Sequence, residues 1–186
     1  ALVAQIFGAV IFVVNGIGIA MTRELGPLMT AILFAGRSGS AFAAQLGTQK
    51  VNEELNALTT FGLSPMYFLV VPRLIASSLV VPLLSVFATI LGILGGGLVM
   101  AMYDITYTQF YVQLLKSVTV TDIVFGLVKA VIFGFVIALI GCQCGMNTGA
   151  GAAAVGSSTT KSVVKSIIWI VVIDGAAALL TNRLGI

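Results

Sequence analysis

Between Leu74 and Met102 the chain carries no charged residue. About 20 consecutive apolar residues suffice to cross a bilayer. In lipid such a segment must satisfy its own backbone groups, so it is a helix unless it belongs to a closed barrel. Residues 123–144 contain only Lys129, and 163–180 contain Lys165 near the start and Asp174 inside. Both read as further spans. The chain is 59% hydrophobic and only 8% charged, with a mean hydropathy of +1.16, whereas soluble domains carry about 25% charged residues. The fold class is therefore all-α: a polytopic integral membrane helical bundle.

The first 46 residues need more care. Residues 1–21 are apolar. Then come Arg23-Glu24-Leu25-Gly26-Pro27, a second apolar stretch and Arg37. Two spans meeting at Arg23-Glu24 would leave no turn between them. One helix over 16–46 fits better, with 1–15 as the end of an earlier span and its connection, and with a kink at Pro27. The remaining plan is a coupling segment at 47–73, a span at 74–102, an outer segment at 103–122, a span at 123–144, a loop at 145–162 and a last span at 163–183.

Arg37, Lys50 and Arg73 against Lys116, Asp104 and Asp122 give the direction. By the positive-inside rule 47–73 and 145–162 face the cytoplasm and 103–122 the periplasm. Tyr103, Tyr107, Phe110 and Tyr111 suit a short helix lying at the interface.

Several function classes drop out. The nine Lys and Arg residues are scattered, which is not a nucleic-acid footprint. There is no His, and Cys142 and Cys144 lack the further ligands a metal needs, so no metal site is expected. Residues 149–158 imitate a phosphate loop, but Ser157 stands where its lysine belongs. That stretch reads as a flexible loop, with Ser158, Thr159 and Thr160 as caps for the last helix. No nucleophile–base pair is visible, so the chain is expected to be a transport subunit, not an enzyme, and to hold no cofactor.

Four charges fall within the spans: Arg23, Glu24, Lys129 and Asp174. Such residues are costly in lipid and face a partner or a cavity. They either lock the bundle as ion pairs or line a pathway. Lys129 and Asp174 are expected to pair with each other. Arg23 and Glu24 are expected to form a charged rim above Leu25, Leu28, Met29 and Ile32, which share a helix face by three-and-four spacing. Such a face suits acyl chains, with Arg23 or Lys129 drawing a phosphate. The polar island from Gln45 to Arg73, holding Glu53, Glu54, Leu55, Asn56, Ala57, Leu58 and the stop Gly62, has no lipid-facing role. It suits docking of a soluble motor. Gly92 and Gly96 have small-xxx-small spacing, read as packing within the chain.

Arg23-Glu24-Leu25-Gly26-Pro27, Phe34-Ala35-Gly36-Arg37-Ser38-Gly39-Ser40-Ala41, Asn56-Ala57-Leu58 with Gly62, and Val71-Pro72-Arg73 resemble the MlaE/YrbE permeases. These are membrane subunits of ABC transporters that move phospholipids or related lipids between membranes. The resemblance covers essentially the whole chain. It implies a five-span permease whose N-terminal interfacial helix and most of whose first span are missing here. It also implies a homodimer in the bacterial inner membrane, working to maintain outer-membrane lipid asymmetry. Its partners would be two ATPase subunits holding ATP and Mg, a STAS-domain regulator and a periplasmic ring of MCE-domain proteins. Residues 49–62 match the coupling helix, with Asn56 at a position acidic in many ABC permeases. The positions of Arg23, Glu24, Lys129 and Asp174 are charged in that family and lie near its lipid pathway. Two other readings remain: an ion- or proton-coupled carrier using Glu24, Lys129 and Asp174 as a relay, and a non-transporting anchor for an MCE assembly.

Overall fold

A computed structural model describes residues 12–102 and 106–184. Among them there is no strand. Four helices are long and apolar enough to cross a membrane: α1 (Phe12–Val51), α3 (Met66–Ala101), α5 (Val120–Met146) and α6 (Ala152–Leu184). Two short helices complete the chain, α2 (Glu54–Thr60) and α4 (Tyr107–Ser117). The protein is an all-α polytopic membrane protein.

The single first helix is longer than 16–46 at both ends, so Phe12, Val13 and Val14 belong to it and not to a connection. Residues 1–11 lie outside the described part. Pro27 does not break α1. The turn before it, Met21–Leu25, is π-wound, with the Gly26 N–H bonded to the Met21 carbonyl. The wider turn absorbs the hydrogen bond that proline cannot donate. A second π-turn, Ala35–Gly39, follows.

At its far end α1 runs on to Val51 and stops where Glu53 takes the left-handed conformation, φ 62°. The polar segment is therefore two helical pieces with a break. Residues 66–73, expected in the same connection, already form the start of α3. The expected loop at 145–162 is corrected too. The connection is short, Gly151 turns the chain at φ +88°, and α6 starts at Ala152. The alanine run favours helix. Ser158 lies inside α6, its Oγ 2.9 Å from the Thr148 hydroxyl, and the Thr159 and Thr160 hydroxyls donate to the Gly156 carbonyl. None of the three caps the helix.

α5 is the centre, packed on α1, α3 and α6. Small residues on one face bring it close: Gly126, Ala130, Gly134, Ala138, Gly141 and Gly145 are all buried. A Cβ on Gly126 would stand 2.2 Å from the Thr22 carbonyl oxygen, and one on Gly141 2.7 Å from the Gly39 oxygen. Backbone therefore meets backbone, as in close-packed membrane helices. Gly92 and Gly96 face Met21 and Ile17 of the same chain.

Buried apolar clusters stack along the bundle. Val14, Met100, Phe110 and Leu114 close the α4 end. Ala31, Ala35, Phe133, Ile137 and Ile170 fill the middle. Leu46, Val70 and Cys142 close the α2 end. Outside them α3 exposes Leu79, Leu83, Phe87, Leu94 and Leu98, the surface of a helix solvated by lipid. α4 is amphipathic, with a Thr106–Gln109 capping box, and buries Phe110 and Leu114. Gln113 ties it to α1 by a 2.8 Å bond to Asn15.

Candidate functional site

The intramembrane charges converge in one layer between the α4 end and the bundle centre. The π-turn of α1 supplies Arg23 and Glu24, α5 supplies Asp122 and Lys129, and α6 supplies Asp174. Lys129 is only 2% exposed. Its ammonium lies 2.9 Å from Asp174 Oδ1 and also pairs with Glu24 Oε2. Arg23 Nη1 lies 3.2 Å from Asp122 Oδ1. The other oxygen of Asp122 accepts the Thr119 N–H at 3.0 Å, closing the capping box of α5. Phe125 stands between the two cations, its ring centroid 5.0 Å from the Arg23 guanidinium carbon and 5.3 Å from Lys129 Nζ. Both distances are within cation–π range.

The structure thus brings Lys129 to Asp174 and adds Glu24 as a second partner. Arg23 and Glu24 do not act as one pair. Each turns to a different acid–base partner on α5. A buried ammonium held by two carboxylates is tolerable, whereas an unpaired one costs several kcal/mol. Among the described residues the layer contains two cations and three carboxylates, a formal sum of −1. Both cations already have carboxylate partners within the chain. The most open member is Glu24, with 35% of its side chain exposed. Asp122 was read as part of the outer segment. Its N3 position behind Thr119 was the visible signal that it opens a helix.

Next to Glu24 the four apolar residues divide. Leu25 and Met29 are exposed. Ile32 is half-buried, and Leu28 turns into the central core beside Phe133 and Ile170. Leu33, 74% exposed, continues the open surface in place of Leu28. It leads into a groove of about 590 Å³ between α1 and α3, lined by Thr30, Leu33, Phe34, Arg37, Leu84 and Phe87, among others. Arg37 is exposed there on the second π-turn. Ser162 of α6 donates to the Gly39 carbonyl at the end of that turn, at 3.2 Å.

At the α2 end, the residues expected to meet a motor also divide. Glu53, Glu54, Asn56 and Ala57 are exposed and Leu58 is half-buried. Leu55 is only 7% exposed and anchors α2 to the bundle, so it is unavailable to a partner. Asn56 donates to Glu53 Oε2, and its carbonyl accepts the Thr59 and Thr60 hydroxyls. Gly62 ends the segment at φ +75°. Sequence reasoning missed Phe61. It is 80% exposed and follows the polar helix directly, which was the available signal.

Across residues 1–180 the chain matches the family model described as Permease MlaE. The chain belongs to the MlaE permease family. A probable ABC transporter permease protein from Synechocystis is 40% identical over 165 residues, covering 88% of this chain and 63% of that protein. Another from Rickettsia typhi is 38% identical over 156 residues, 83% of this chain and 60% of its own. The Arabidopsis thaliana chloroplastic protein trigalactosyldiacylglycerol 1 is 38% identical over 159 residues, 85% of this chain and 45% of its own. The chain spans less than two thirds of the length of these relatives. Membership makes the permease a multi-pass membrane subunit of the ABC transporter class.

Proposed function

We propose that the permease forms, with a second copy of itself, the membrane pathway of an ABC transporter that moves phospholipid between the inner and outer membranes of a bacterial cell. The observation that carries this reading is the open apolar strip of Leu25, Met29 and Leu33 beside the half-buried carboxylate of Glu24. A greasy wall below a charged rim matches an amphiphile. Among the described residues the rim's formal sum is negative, so an ammonium-bearing zwitterionic headgroup suits it better than a bare phosphate. The Arabidopsis relative is itself named for a diacylglycerol lipid, which supports the substrate class.

In this reading the α2 end is cytoplasmic. A separate ATPase, holding ATP and Mg, grips α2 through Glu54, Leu58 and Phe61. An MCE-domain ring lies over the α4 end, and a STAS-domain protein regulates the motor. Photocrosslinking from Met29 in the assembled complex is the test. Capture of labelled phospholipid is expected. Adducts with protein alone would show that this strip is only a packing face.

A proton-coupled carrier is the second reading, favoured by the three carboxylates around Arg23 and Lys129. Lipid movement that stops on ATP depletion but survives an uncoupler excludes it.

A further inference from the structure

Arg73 lies on α3, about a turn and a half beyond the exposed aromatic residues Tyr67 and Phe68. Such aromatics mark the headgroup level of a membrane helix, and Arg73 is about 9 Å deeper at 1.5 Å per residue. Its guanidinium reaches across to α1. Nη2 donates to Gln45 Oε1 at 3.3 Å, and the guanidinium carbon stands 5.9 Å from the Phe42 ring centroid. Nη1 is buried with no hydrogen-bond partner, and so is Gln49 Oε1. Arg73 and Gln49 line one cavity of about 370 Å³ with Ala44, Gln45 and Thr48.

No carboxylate pairs with Arg73 among the described residues. The acids of the α2 segment are engaged elsewhere, Glu53 with Asn56 and Glu54 with Asn52. The Cys142 thiol interacts with the Arg73 guanidinium by a side-chain hydrogen bond, but a thiol is only a weak acceptor. A partly buried guanidinium with an idle N–H lacks its anion.

We infer that this cavity is a binding site for the phosphate of a phospholipid from the leaflet at the α2 end. The donors fit. The Arg73 fork lies on the cavity wall with the Thr48 hydroxyl and the Gln49 amide, and its buried N–H has no partner within the chain. The same α1–α3 seam continues deeper as the apolar groove of Leu33, Phe34, Leu84 and Phe87. Acyl chains running from Arg73 towards the bundle centre keep the normal polarity of that leaflet. Arg37 adds a second cation along the seam, and no carboxylate lines it. The seam therefore selects a lipid of net negative charge. This inference requires only that the chain sits in a bilayer. It is separate from the strip at Met29 and from any transport.

The test is photocrosslinking from position 48, with the full chain in phosphatidylcholine vesicles containing labelled phosphatidylglycerol. Capture of phosphatidylglycerol is expected. Arg73→Gln should lower it about tenfold, the loss of a charge-assisted contact. Arg73→Lys should keep part of it, because the charge remains and the fork is lost. Gln49→Leu, which leaves the guanidinium untouched, should give a smaller drop, and it carries the test if Arg73→Gln does not fold. Unchanged capture in the folded variants overturns the site. Adducts with protein alone overturn it too, because a second copy then covers the seam. Competition by excess inorganic phosphate overturns the lipid assignment in favour of a soluble anion. Crosslinking from Met29 in the same vesicles reports the transport strip independently.

Discussion

The charged layer near the α4 end and the polar segment at the α2 end use the same residue types in opposite ways. Arg23, Glu24, Asp122, Lys129 and Asp174 lie in or beside apolar spans, and each is paired. At the α2 end Glu53 and Glu54 are exposed and bonded only to neighbouring amides, while Phe61 stands in the open. The difference follows from dielectric. Inside a bilayer an unpaired charge costs more than the geometry needed to pair it, so sequence-distant groups are pulled together. At an aqueous face charges need no partners, and exposed apolar side chains are the feature that calls for explanation. The first region holds the bundle together, and the second leaves an open surface.

The sharpest way to break this comparison is Lys129→Met. The change leaves Glu24 and Asp174 as neighbouring, partly buried carboxylates with no cation between them. A loss of about 3–5 kcal/mol is expected, as for removing one partner of a buried pair. The triple change Glu24→Gln, Lys129→Met, Asp174→Asn should recover most of it. Thermal or denaturant unfolding in detergent reads both. A triple variant as unstable as the single one would mean that Lys129 matters for its packing and not its charge. Lys50→Met at the α2 end removes a 2.8 Å bond to the Met146 carbonyl and serves as the exposed counterpart, with a cost of at most about 1 kcal/mol.

The second way tests what lets the layer form. Gly126 allows α5 to lie against the π-turn that carries Arg23 and Glu24. Gly126→Ala places a methyl carbon against backbone, which cannot rotate away. A loss of about 1–3 kcal/mol is expected from overpacking alone. The ion pairs should loosen as well, so the sum of Gly126→Ala and Asp122→Asn should fall short of additivity. Additive losses would place the close approach and the ion pairs in separate parts of the energy.

Much of this plan was legible in the sequence. The charge-free stretch after Leu74 and the long runs around Lys129 and Asp174 left helices as the natural solution, and the family motifs identified the class. The pairing of Lys129 with Asp174 followed from the expense of lone charges in lipid. What was not legible depended on which way a helix faces. Leu28 and Leu25 share a spacing rule, yet Leu28 enters the core beside Phe133 and Leu25 does not. The two π-turns in α1 shift the facing of everything after them, and no residue pattern announces a π-turn. Asp122 was hidden because a helix N-terminus and a loop acid look alike until the pairing with Arg23 is seen. The start of α6 was misplaced because glycine and serine after Gly149 suggested loop, while the alanines among them favoured helix and Thr148 gave Ser158 a partner.

The smallest expected effect on stability is the most informative about function. Phe61 touches little of its own chain, whereas Leu55, two turns earlier, is buried. Phe61→Ser should therefore change unfolding by less than about 0.5 kcal/mol, as surface substitutions do. Leu55→Ser should cost about 2 kcal/mol or more, since it removes an anchoring side chain and buries a hydroxyl. In a complex with the ATPase the order should invert. Phe61→Ser should weaken co-purification and lipid-responsive ATP hydrolysis about tenfold, the scale of an aromatic hot spot. Charge reversal at Glu54 should have a lesser effect, because a rim charge in water is screened. If Phe61→Ser leaves both readouts unchanged while Glu54→Lys abolishes them, the segment is read by its charge, and the exposed aromatic has another partner or none.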